Sequence, residues 1–151
     1  MKKYLQKKLN NEKGMTLIEL LAVIVIIAII AAIAIPAIGN IIENSRVGAI
    51  KSDAQNALAA ANIYYTDNAT APSPVTVEKL QQENYLQDTG SLNITGTSIA
   101  KVSGGNTITG SGTDGGVKVD FLASTNADVS DTPNSSGDAD GETTDTVTVT
   151  R

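Results

Sequence analysis

Cysteine, histidine and tryptophan are absent from this chain, and one phenylalanine and four tyrosines are its only aromatic residues. Without cysteine there is no disulfide to staple the fold and no thiolate to act as nucleophile or metal ligand. Without histidine, the side chain that most often moves protons near neutral pH is missing as well. Both absences point away from an enzyme, and no cofactor or metal is expected. Basic residues are outnumbered by acids, giving a formal charge of -5 over 151 residues, so no nucleic acid partner is expected either. The few aromatics limit the core, and the chain reads as one thin, modestly stable domain.

What the chain does have is an apolar run. Residues 20–42 carry no ionisable side chain, and as a helix they would span about 35 Å at 1.5 Å per residue. That crosses a hydrocarbon core of about 30 Å. A secretory signal peptide has an apolar region of only about 7 to 15 residues and a small-residue cleavage site. A plain single-pass anchor explains the run but not Glu19 at its edge, where an ionised carboxylate near the bilayer centre costs roughly 2 to 4 kcal/mol or more. Lys2, Lys3, Lys7, Lys8 and Lys13 precede the run, with Glu12 as the sole acid ahead of Glu19, so the N-terminus is expected in the cytoplasm and the remainder outside.

The stretch Gly14-Met15-Thr16-Leu17-Ile18-Glu19, after a short lysine-rich leader and at the start of a long apolar helix, resembles the class III signal of type IV pilins and pseudopilins. The resemblance covers about the first third of the chain. It implies that prepilin peptidase removes residues 1–14 by cutting after Gly14, and that the new amine of Met15 is methylated. Most of the family begins its mature chain with phenylalanine, and Met15 departs from that. It also implies that Glu19 pairs with the Met15 amine of a neighbouring subunit, which would select register, since a buried charge is tolerable only when compensated. Pro36 stands where many members have a helix-kinking proline. Its missing donor and clashing ring, with Gly39 in the same turn, predict a bend or a segment that loses helicity in a filament.

Beyond Asn40 the pattern becomes one-sided. Ile50, Ala54, Ala57, Ala61 and Tyr64 recur at helical spacing, with Lys51, Asp53, Gln55 and Asn56 between them. This predicts one long helix over residues 15–66, membrane span and filament core in 15–42, ending where Asn68, Pro72 and Pro74 break it. Residues 67–151 form the head, with a second helix over 75–86 capped by Thr76 and burying Val77 and Leu80. Strands are predicted at residues 92–94, 99–102, 107–109, 117–122 and 147–149, with hairpin turns at 104–106 and 114–116. Residues 127–145 read as a mobile acidic loop, with 147–149 returning as an edge strand, or as a disordered end.

Asp138, Asp140 and Glu142 form the densest carboxylate cluster, but their spacing is not that of a calcium-binding helix–loop–helix, and a solvated acidic turn is the default. The Asn-x-Ser/Thr triplets at Asn68, Asn93 and Asn134 carry little weight in a bacterial protein. Gram-negative pilins usually close a C-terminal loop with a disulfide, so its lack favours a Gram-positive source. The absence of a Leu-Pro-x-Thr-Gly signal argues against a sortase-linked wall pilus. The expectation is an α+β, type IV pilin-like fold, a long helix with an apolar first half packed against a small antiparallel sheet. It would be a single-pass membrane precursor that polymerises into an extracellular filament. Its partners would be identical subunits, prepilin peptidase, the pilus assembly machinery and minor pilins. The alternatives are a pseudopilin of a competence or secretion system, or a monomeric membrane-tethered domain.

Overall fold

A computed structural model of the protein describes residues 2–134 and 146–150, with helical side chains from residue 16 onward. Asp138, Asp140 and Glu142, expected to form a solvated acidic turn, lie outside the described residues. The elements run α1 (Lys2–Asp67), β1 (Val75–Thr76), α2 (Val77–Gln82), β2 (Ser98–Ala100), β3 (Thr107–Asp114), β4 (Val117–Ser124), α3 (Asn126–Asp131) and β5 (Val147–Thr150). Two compact units are formed, residues 1–40 and residues 41–151.

In the first unit the helical assignment continues through Pro36 and Gly39. Its large apolar side chains from Leu17 to Ile38 are all between 49% and 70% exposed. A helix apolar on every side has no internal core to serve, and each such side chain gains about 1.5–3 kcal/mol on leaving water. Among the described residues, Thr16–Asp67 is a helix long and apolar enough to cross a membrane.

In the second unit α1 becomes amphipathic. Val47, Ile50, Ala54, Ala57, Ala61 and Tyr64 recur every three or four residues and are at most 3% exposed, which puts them on one face. They pack on a five-stranded antiparallel sheet of order β1-β2-β3-β4-β5. Ile99, Ile108, Val119 and Phe121 supply the sheet's inward side. The alanines let the backbones approach, and one close approach is at Gly112 of β3. A Cβ there would lie 2.4 Å from Ile50 Cγ2 and 3.2 Å from the Ser91 carbonyl oxygen. Tyr65 closes the other end of the face, its hydroxyl donating to Ile99 O (2.9 Å) and accepting from Val75 N (3.0 Å). Those bonds tie the helix end to the first two strands of the sheet.

The helix ends at Asp67, within the expected window. The glycines of the β2–β3 and β3–β4 turns, Gly104, Gly105, Gly115 and Gly116, all have positive φ, as hairpin turns at these positions require. β5 is an edge strand paired with β4, Val149 opposite Val119 and Val147 opposite Phe121.

Four expectations need correction. The segment 75–86 is not one helix: Val75 and Thr76 pair with Ile99 and Ser98 as β1, and helix α2 covers only Val77–Gln82. Thr76 still caps it, its side chain accepting from Lys79 N at 3.2 Å. Residues 92–94 are not a strand, since Leu92 makes only an isolated bridge to Gly112. Asn93 turns the chain there, its Oδ1 accepting from the backbone N of Thr95 and of Gly96, both at 3.2 Å.

The third correction is α3, within the segment expected to be an unstructured acidic loop. Thr125 and Asp128 make a reciprocal capping box, which satisfies orphan backbone donors at the helix start, and Val129 is buried. Backbone and side-chain hydrogen bonds from Thr125, each 2.8 Å, hold the Asp128 carboxyl below its usual pKa. The fourth is Lys51, expected among the outward polar residues of α1 but only 9% exposed. Its Nζ donates to Ser130 O (3.3 Å), Thr132 O and Asn134 Oδ1 (3.1 Å). A lysine on carbonyls at the end of a short helix satisfies acceptors that the helix itself cannot.

Candidate processing and assembly segment

The chemistry-bearing residues of the N-terminal motif share one helix. Gly14 and Met15 lie within α1, and Glu19 is exposed on the same helix. Glu19 lies four positions after Met15, which places them on one helical face about 6 Å apart along the axis. Helical side chains lean toward the N-terminus, so the carboxylate is directed to the end that a cut after Gly14 would expose. Among the described residues Glu19 has no ion-pair partner.

Pro36 and Gly39 lie toward the end of the first unit. Pro36 withdraws one backbone donor from the ladder wherever it sits in a helix. A Cβ added at Gly39 would meet nothing within 4 Å, so no packing contact of the single chain requires glycine there.

In the second unit a cleft between α1, the β2–β3 turn and the start of α3 is lined by the carboxamides of Gln55, Asn62, Asn106 and Asn126 above Leu58 and Ala59. Asn106 Nδ2 donates to Asn62 Oδ1 at 2.8 Å, and Gln55 Nε2 donates to Ser130 Oγ at 2.8 Å. These groups form hydrogen bonds but supply neither a general base nor a nucleophile. Among the described residues no group of three or more His, Cys, Asp or Glu comes together to hold a metal ion. The buried Lys51 and the capping box were not foreseen; Thr125-x-x-Asp128 was the signal available for the latter.

Residues 9–35 match the family model described as the prokaryotic N-terminal methylation motif. The matched stretch holds Gly14, Met15, Glu19 and most of the exposed apolar helix, and it says nothing of a Gram-positive source. Comparison with curated proteins and with solved structures gives no match. With a long apolar helix and a five-stranded antiparallel sheet packed on the helix's second half, the fold is α+β and pilin-like. The chain carries the N-terminal methylation motif, the class III signal of a type IV pilin-like substrate of prepilin peptidase.

Proposed function

We propose that the protein is the structural subunit of a type IV pilus. In this reading prepilin peptidase cuts after Gly14, Met15 is N-methylated, and the mature chain is held by its helix as a single-pass membrane protein. Its leader faces the cytoplasm until it is cut away, and the assembly machinery then draws the subunit into an extracellular filament.

The observation that carries the reading is the methylation motif placed at the start of a helix whose large apolar side chains are all at least 49% exposed through Ile38. Lipid covers such a surface before assembly, and identical helices cover it in a polymer, where the apolar gain is recovered without a membrane. Glu19 then has a role. Taken out of water it needs a cation, and the amine created at Met15 of an adjoining copy supplies one only in the correct register. Pro36 and Gly39 weaken the helix where a subunit would bend or stretch.

Mass spectrometry of material sheared from the cell surface tests the proposal. A pilin gives a chain starting at methylated Met15, whereas a tethered monomer keeps Lys2 and Lys3, and that result would end the pilin reading. Long sheared fibres separate a pilus subunit from a pseudopilin, whose filaments do not leave the envelope. Glu19→Ala should leave processing intact while sharply reducing fibre yield; unchanged yield would remove the register role.

A further inference from the structure

Lys51 is the most heavily buried charged side chain among the described residues, 9% exposed, and its nitrogen lies 3.1 Å from the side-chain oxygen of Asn134. Ser130 O and Thr132 O fix the same nitrogen from the end of α3, so the amine is held at one place against one carboxamide. Room for that carboxamide comes from Gly48, one turn earlier on α1. A Cβ there would lie 3.1 Å from Asn134 Nδ2. Burial lowers the pKa of Lys51, and the carboxylate of Asp131 opposes that shift. An amine, a carboxamide and a nearby carboxylate are the components of an aminolysis.

We propose that Lys51 and Asn134 become joined by an intramolecular isopeptide bond. The Lys51 ammonium gives one proton through solvent to Asp131, whose charge it feels without a direct ion pair, and the neutral Nζ attacks Cγ of Asn134. A second proton passes from Nζ to Nδ2, the Cγ–Nδ2 bond breaks, and ammonia leaves with the proton that Asp131 held, as ammonium. One amide replaces another, so no oxidant, reductant or cofactor takes part. The product closes a loop across a sequence separation of 83 residues and ties α1 covalently to the segment that follows α3. In a chain without cysteine this is a cross-link that needs no oxidising compartment, and it is independent of processing at the N-terminus.

The test is the intact mass of the purified full chain, followed by a peptide map under denaturing conditions. The wild type is expected to be lighter than its sequence by one molecule of ammonia, with a branched peptide joining Lys51 to Asn134. Lys51→Arg and Asn134→Ala should have their full sequence masses, Asp131→Asn should accumulate the unlinked form, and Gly48→Ala should lower the linked fraction. Leader removal and methylation change the mass of the N-terminal peptide alone, so the map separates them from the cross-link. A wild-type chain without the ammonia deficit, or with Asn134 hydrolysed to aspartate, would overturn the proposal.

Discussion

Replacing Gly112 by alanine tests whether the sheet truly rests on the helix. The φ of Gly112 is not positive, unlike those of the turn glycines, so alanine meets no backbone penalty and the effect isolates one packing contact. Its methyl would stand 2.4 Å from Ile50 Cγ2, 3.2 Å from Ser91 O and 3.4 Å from Leu92 Cδ2. Ile50 is fully buried and sits on the rigid face of α1, so it has nowhere to rotate. Overpacking of this kind costs about 1–3 kcal/mol, each kcal/mol lowering the melting temperature by about 2–8 °C for a domain of about 100–150 residues. Urea titration of the full chain in detergent, followed by tyrosine fluorescence, should show a lower midpoint at constant slope. Ile50→Ala alone should cost about 2–5 kcal/mol. The two changes together should cost less than their sum by about 1–2 kcal/mol, because the new methyl enters the space that Ile50 vacates. Additive costs, or a single Gly112→Ala midpoint equal to that of wild type, would refute the close contact.

Tyr65→Phe removes a buried hydroxyl that serves both Val75 N and Ile99 O, and we expect a loss of about 1–3 kcal/mol together with faster amide exchange at Val75. Acid acts through α3. Because the folded pKa of Asp128 is depressed, its contribution is fully present above the ordinary aspartate value and is lost as pH falls through the lower folded one. Asp128→Asn should therefore flatten the fall of melting temperature between about pH 5 and about pH 2; a curve parallel to wild type would deny the capping box that role. The fibre-yield test of Glu19→Ala and the mass test of Lys51 and Asn134 complete the set.

Elements with strong local signals were legible in the sequence. The apolar run, the small-residue face from Ile50 to Tyr64, the Thr76 cap and the glycine turns each state their geometry in neighbouring residues. Part of what escaped depends on partners far along the chain, and part on local side-chain bonds. Val75 and Thr76 look helical beside Leu80, yet pairing with Ile99 and Ser98 draws them into the sheet. Residues 92–94 have strand composition, and the Asn93 side chain overrules it by bonding its own following backbone. Lys51 reads as a solvated charge until α3 arrives to cover it, and α3 was hidden because its stability rests on a capping box and one buried valine rather than on an apolar stripe. At the N-terminus the motif was legible as residue types in sequence, whereas the cation we propose for Glu19 belongs to no intact single chain.

The strand order, each strand beside the one before it, bears on biogenesis. Such a meander lets the sheet grow from its first hairpin as synthesis proceeds, and no early strand waits for a late one to be inserted between its neighbours. The small-residue side of the helix, by contrast, is made before anything that covers it. During that interval the nascent chain offers a bare alanine-lined track that stays uncovered until the hairpins close over it.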